Sequence, residues 1–109
     1  MIIDFHTHIF PDKVAAKALP KLASVCQLTP SMDGTLAGLL DSMEKSGIDV
    51  SLVLPIVTDP RQFDSILRFA SYINENHSEG SGPRLLSFAS VHPDEPHCRE
   101  QLRTIAREG

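Results

Sequence analysis

The sequence predicts an α/β fold in which three parallel strands alternate with helices in the order βαβαβα. Three apolar stretches of strand character, near residues 1–10, 50–57 and 85–91, are separated by stretches with helical spacing of apolar residues. Right-handed crossovers then make the strands neighbours in the order 1-2-3. The 109 residues, 41% of them hydrophobic, fit a single domain spanning residues 1–109 with a modest core.

The first unit is a strand over residues 1–10 followed by a helix over residues 11–26. Alternation along the strand places Asp4, His6 and His8 on one face. The helical stretch is rich in Ala, Leu and Lys, and Pro20 is expected to kink or divide it. Turn-forming residues in 27–35 predict a loop that overhangs the end of the first strand.

The second unit begins with a helix at Leu36, for which Thr35 or Asp33 is the expected N-cap. Gly47 is at the position where a glycine commonly ends a helix. The nearly continuous apolar run over 50–57 is typical of a parallel strand covered on both faces, with Pro55 close to its end.

The third unit opens with Asp59 and Pro60, a cap and first-turn pair that predicts a helix start. Residues 74–83 are rich in polar residues and glycine and predict an exposed loop. A strand over 85–91 and a helix over 96–107 complete the unit, and the helix is expected to direct its apolar residues inward, namely Cys98, Leu102, Ile105 and Ala106.

Composition excludes several classes of function. The net charge of −4 arises from ten basic and fourteen acidic residues that are interspersed, so no basic stripe exists to attract nucleic acid. The longest apolar run, 52–57, is too short to cross a membrane, and the N-terminus lacks a basic leader, so a cytoplasmic location is expected. Cys26 and Cys98 are isolated and are expected to be buried, unpaired thiols.

His6 and His8 are the strongest candidate site residues. Neutral imidazole is the commonest metal ligand in proteins, and two imidazoles on one strand occupy two coordination positions of a zinc, iron, nickel or copper ion. The pair closes a strand and precedes a loop, and parallel α/β folds build their sites at this end of the strands. Asp4 is a candidate ligand or a hydrogen-bond acceptor behind a ligand.

Five other positions are weaker candidates. His92 follows the third strand as His8 follows the first, so it is expected at the same edge of the sheet, either contacting substrate or in a structural role. His77 and His97 are expected to be solvent-exposed. Arg61 and Arg84 are candidates for binding a carboxylate substrate, with a solvated surface position as the alternative.

The opening of the chain resembles a known family. Asp4-x-His6-x-His8 looks like the first strand of the amidohydrolase superfamily, and residues 2–11 (IIDFHTHIFP) are similar to its amidohydrolase-related branch, which includes decarboxylases. The nucleases resembling TatD and the phosphoesterases of the PHP type share a similar opening. The resemblance therefore indicates a (β/α)8 TIM barrel more specifically than it indicates a substrate.

The resemblance implies that His6 and His8 bind a divalent metal, usually zinc, in a metal-dependent hydrolase or decarboxylase of small molecules. Such proteins draw further metal ligands, and an aspartate that handles a proton, from later strands. A complete barrel needs about 250 residues, so three units correspond to its first three strands. The chain is accordingly expected to be inactive alone, and to self-associate through its free sheet edges or its open face.

A different class of protein remains as the alternative. The chain could be a small non-catalytic α/β module that binds a ligand or partner, with an adventitious metal site at His6 and His8. A flavodoxin-like open sheet is the natural fold for that case, although it normally has a fourth and a fifth strand.

Overall fold

A computed structural model describes residues 1–108 and confirms a mixed α/β fold with three parallel strands in the order β1-β2-β3. A short 3-10 turn at Pro60–Gln62 precedes the third helix. In chain order the elements are β1 (Ile3–Thr7), α1 (Asp12–Cys26), α2 (Leu36–Ser46), β2 (Val50–Val53), α3 (Phe63–His77), β3 (Arg84–Ser87) and α4 (Cys98–Glu108).

The strands are shorter than the sequence predicts. β2 ends at Val53 instead of continuing to residue 57, and β3 ends at Ser87 instead of residue 91. Each residue of a strand needs a partner on the neighbouring strand, so the four-residue β2 limits the length over which β1 and β3 can pair with it. The residues after each strand, among them His8, consequently lie on connecting segments at the carboxyl edge of the sheet.

The register between β1 and β2 contains an irregularity. Asp4 pairs with Ser51 and Thr7 pairs with Val53, so three steps on β1 correspond to two on β2. A bulge of this kind shifts the alternation of side chains by one position. Asp4 and Thr7 therefore lie on the same face as Ser51 and Val53, whereas simple alternation predicts opposite faces for Asp4 and Thr7.

The ends of α2 confirm the expected caps. The Thr35 hydroxyl accepts a hydrogen bond from Gly38 N at 3.0 Å, and Gly47 ends the helix with a φ of 68°. In α1, by contrast, Pro20 does not divide the helix, which is continuous to Cys26. The carbonyl that loses its partner belongs to Ala16, which is exposed, so water can replace the missing bond.

The predicted loop over 74–83 is wrong in its first four residues, which belong to α3. The reason is a tertiary contact. The Asn74 side chain donates to Ser87 O at 2.9 Å and accepts from Ser87 N at 2.7 Å, which fixes this turn of the helix against β3. His77 is consequently half-buried beside Tyr72, with ring centroids 5.8 Å apart, and is not solvated as predicted.

The core lies on one face of the sheet. Helices α2 and α3 contribute to the same cluster as the strand residues beneath them, and its buried members are Ile9, Leu39, Met43, Val53, Ile73 and Leu85. On the opposite face, Leu86 is 43% exposed and Phe88 is 58% exposed. The sheet thus has one covered and one open apolar face.

Helix α4 contributes no buried residue, contrary to the prediction that its apolar side chains point inward. Leu102 is 51% exposed and Ala106 is also exposed, whereas Cys98 and Ile105 are half-buried. The helix packs against α3. Within residues 1–108, no helix is long and apolar enough to cross a membrane.

Candidate metal-binding site

His6 and His8 bring two ring nitrogens together at the carboxyl end of β1. His6 Nε2 and His8 Nε2 are 2.9 Å apart, and the ring centroids are 4.8 Å apart with the planes at 82°. The two rings therefore project to the same side, as alternation predicts. His6 is exposed and His8 is half-buried, so the nitrogens are accessible from solvent.

A backbone carbonyl orients the His8 ring. His8 Nδ1 lies 2.7 Å from Leu54 O, and because a carbonyl oxygen only accepts, the hydrogen must be on Nδ1 in the neutral ring. His8 Nε2 is then an unprotonated acceptor, and the neutral His6 ring donates to it through Nε2. This hydrogen bond occupies the space between the two Nε2 atoms, where their lone pairs would converge if neither nitrogen carried a hydrogen.

The distance between the nitrogens suits two ligands of one metal ion. Zinc binds histidine nitrogen at about 2.0–2.1 Å, so two ligands stand roughly 2.9 Å apart at a right angle and roughly 3.3 Å apart at a tetrahedral angle. The observed 2.9 Å needs little or no adjustment. The backbone carbonyl on the far nitrogen of His8 is also the usual partner behind a metal-bound histidine.

Asp4 does not join this pair as the sequence interpretation allowed. Its Oδ1 accepts a hydrogen bond from the backbone N of His6 at 3.0 Å, and the bulge places the residue beside Ser51. The carboxylate pairs with a backbone group of the irregular stretch of β1. Asp4 thus supports the strand that carries the histidines and does not touch either ring.

A cleft of about 570 Å³ opens beside the two histidines. Helix α1 and the segment 27–34 form its outer wall, and Phe10 N donates to Gly34 O at 2.9 Å, which holds the end of that segment against the end of β1. Gly34 is buried with a φ of 74°, and an added Cβ would stand 3.4 Å from Leu19. This glycine allows the segment to pass close under α1.

The lining of the cleft is mostly apolar. Strand and core positions form its floor, and α1 with the segment after it forms the wall; the apolar side chains among them include Phe10, Leu19, Leu22, Leu28, Met32 and Ile56. Asp4 is the only charged side chain among the lining residues, and no lysine or arginine is present there.

The remaining histidines lie elsewhere. His92 has a side chain only 18% exposed, and its Nδ1 accepts from Asp94 N at 3.2 Å, which favours the structural role. His97 is exposed as predicted, and neither residue lines the cleft. Over residues 1–108 no group of three or more His, Cys, Asp and Glu side chains is arranged to hold a metal, so no third such side chain joins His6 and His8.

The two candidate arginines are not at the site. Arg61 forms a paired contact with Asp59, from Nε to Oδ1 at 2.9 Å and from Nη2 to Oδ2 at 2.6 Å, and its side chain is 89% exposed. These bonds and the one from Arg61 N hold the pKa of Asp59 well below its usual range. Arg84 begins β3, at the amino end of the sheet, remote from His6 and His8.

The cysteines are unpaired as expected, but one of them is not buried. Cys26 is exposed at the end of α1, where it lines the cleft, and Cys98 is half-buried at the start of α4. Cys26 is exposed because α1 contributes only Ala15 to the buried interior.

Two features of the site had no counterpart in the sequence interpretation. The Leu54 carbonyl that orients His8 is a backbone atom, so no residue type marks it. Ser51 lies on the cleft floor, fully buried, and its hydroxyl has no hydrogen-bond partner. A serine inside the otherwise apolar run 50–57 was the one available signal.

Comparisons of the chain with protein-family models, with curated proteins and with solved structures gave no match.

Proposed function

We propose that the chain is the N-terminal part of a metal-dependent hydrolase or decarboxylase of the amidohydrolase type, and that His6 and His8 hold its divalent metal, zinc in the first instance. The observation that carries the proposal is the 2.9 Å separation of the two Nε2 atoms together with the bond from His8 Nδ1 to Leu54 O. Both features are what a metal site requires of a histidine pair.

The topology supports the barrel half of the proposal. The strands follow one another in the order 1-2-3, and both crossovers lie on one face of the sheet, as in a barrel. In a flavodoxin-like sheet the strand order reverses direction, and helices cover both faces. The open face, with Leu86 and Phe88 exposed, corresponds to the interior of such a barrel. These features favour the barrel over the alternative of a small binding module.

The pair has a limited role by itself. A divalent cation bound there supplies Lewis acidity for hydrolysis of a carbonyl-type bond or for decarboxylation. A catalytic zinc site uses three protein ligands and one open position, and residues 1–108 bring two together. We therefore expect the 109-residue chain to bind metal without turning over substrate, because the remaining ligands and the proton-transfer group belong to later strands.

Titration with cobalt(II), monitored by calorimetry and visible absorption, tests the metal site. We expect binding of one cobalt ion per chain to be weakened by more than tenfold in His6→Ala and in His8→Ala, because each removes one of two ligands. His97→Ala is the matched control, since His97 is an exposed histidine away from the cleft. Equal affinity in all four proteins would refute the assignment of His6 and His8 as ligands.

A further inference from the structure

We propose that the cleft beside His6 and His8 binds an uncharged, largely apolar small molecule, an aryl or alkyl amide, ester or alcohol, and does not accept a carboxylate. In the proposed enzyme this molecule is the substrate of the hydrolase reaction and not of a decarboxylation, which needs a carboxylate; this role rests on the proposed function. The binding itself does not depend on metal.

The size and the lining of the cleft both suit a small, largely apolar molecule. A volume of about 570 Å³ lies within the range of roughly 300–1,000 Å³ typical of small-molecule sites. The wall formed by α1 and segment 27–34 presents apolar side chains such as Leu19, Leu22 and Met32. A ligand that covers these side chains removes apolar surface from water, which is the main source of affinity in such a site.

The charge of the lining residues disfavours anionic ligands. The carboxylate of Asp4 is the only charged group among the lining residues. The candidate arginines Arg61 and Arg84 do not line the cleft, and Arg61 is already paired with Asp59. In the metal-free cleft, an anionic ligand would lose hydration without gaining a cation and would approach Asp4. The cleft therefore discriminates against carboxylates and phosphates.

The floor supplies a polar contact for a neutral ligand. The Ser51 hydroxyl is buried with no hydrogen-bond partner, and leaving such a group unpaired is costly. An amide, ester or alcohol group that reaches the floor can pair with this hydroxyl. The polar end of the ligand would then lie over the paired residues Asp4 and Ser51, on the face of the sheet that the helices cover.

A matched pair of fluorescent probes tests the inference: 1-naphthaleneacetamide, which is neutral, and 1-naphthaleneacetate, which is anionic. The chain has no Trp and a single Tyr, so naphthalene emission can be followed with little background. In the presence of a metal chelator, we expect the amide to bind and the acetate to bind more weakly, by on the order of tenfold. Equal or tighter binding of the acetate, or no binding of the amide, would overturn the proposal.

Two variants, each with a matched control, test whether the probe binds in the cleft. Ala23→Lys introduces a cation on the α1 wall and should raise acetate affinity severalfold, whereas Ala16→Lys, on the exposed side of the same helix, should not. Ser51→Ala should weaken amide binding, whereas Ser90→Ala, which removes another buried and unpaired hydroxyl outside the cleft, should not. Binding that responds to neither Ala23→Lys nor Ser51→Ala lies elsewhere and refutes the assignment.

The two proposals fail separately. Cobalt titration reports on His6 and His8 without any probe, and probe binding is measured without metal. Cobalt binding with no preference for the amide would leave the metal site standing and remove the ligand assignment.

Discussion

At the scale of single residues, the site depends on which polar group contacts which ring. Leu54 O accepts from His8 Nδ1, and Asp4 Oδ1 accepts from the backbone of His6, not from its imidazole. Asp4 and Leu54 therefore differ in what they contribute to the proposed metal site, although both lie close to the pair. The carbonyl sets the orientation of a ring, and the carboxylate stabilises the strand.

We expect Asp4→Asn to change cobalt affinity by no more than about threefold. Asparagine keeps an oxygen that can accept from His6 N, so the strand end is preserved. Removing a group that orients a metal ligand typically costs about 10–100-fold in affinity. A loss in that range, measured by the calorimetric titration used for the histidine variants, would show that Asp4 acts on the metal after all.

The Asp59 and Arg61 pair gives a prediction about pH. Arg61 lowers the pKa of Asp59 below its unfolded value of about 3.9, so the ionised carboxylate is favoured in the folded state. The resulting stability is present above about pH 4 and is lost as the pH falls through the folded pKa. Arg61→Ala should raise the pKa of Asp59, followed by the NMR shift of its carboxyl carbon.

Thermal unfolding provides the second measurement of this pair. The melting temperature of Arg61→Ala should lie below that of the unaltered chain at pH 7, and the two should converge toward pH 2. Arg68→Ala, at an exposed position on α3, is the control and should show no such convergence. A difference that stays constant over this range would mean that the pair is not linked to folding.

At the scale of the elements, the C-terminal end of α2 depends on the backbone conformation of Gly47 and not on a steric contact. Gly47 has a φ of 68° and a Cβ added there would meet nothing within 4 Å, so the only cost of a side chain is conformational. We expect Gly47→Ala to lower the free energy of unfolding by about 1 kcal/mol, measured by urea denaturation. Gly82→Ala, also in open space but without a positive φ, should be neutral or slightly stabilising.

Side chains also form hydrogen bonds with backbone groups of the two outer strands. Asp4 Oδ1 accepts from the backbone N of His6 on β1, and the Asn74 amide bonds to both N and O of Ser87 on β3. A polar side chain bonded in this way at Ser87 blocks pairing of another strand there. A further strand could pair with β3 at Ser87 only after the Asn74 amide turned away.

At the scale of the whole molecule, the open apolar face favours self-association of the isolated chain. Leu86 and Phe88 are exposed on it, together with Phe5 at 67% exposure. Because the Asn74 amide occupies the β3 edge at Ser87, packing of two open faces is favoured over pairing at that strand edge. We expect light scattering after size-exclusion chromatography to show dimers or larger species that dissociate on dilution.

Variants separate the two modes of association. Phe88→Lys should shift the chain toward monomer, because a lysine on the open face opposes face-to-face packing. Tyr72→Lys replaces an exposed aromatic residue on α3 and is the control. Asn74→Ala uncaps β3 and should increase association through edges. A chain that is monomeric at high concentration without any substitution would contradict the open-face prediction.

The sequence by itself determined the class of fold, the order of the elements and the same-side placement of His6 and His8. These follow from local rules: apolar periodicity, the caps at Thr35 and Gly47, and alternation along a strand. The proposed barrel depends on the three motif residues Asp4, His6 and His8 and on the strand order.

Tertiary structure decided what depends on contacts between residues distant in sequence. Residues 74–77 are helical because Asn74 bonds to Ser87, and Asp4 leaves the histidine pair because β1 has a bulge against β2. Likewise, the proton position on His8 is set by Leu54 O, 46 residues away. Periodicity describes one element at a time, whereas register, backbone hydrogen bonds and the closure of a cleft exist only between elements, which is why sequence patterns could not predict them.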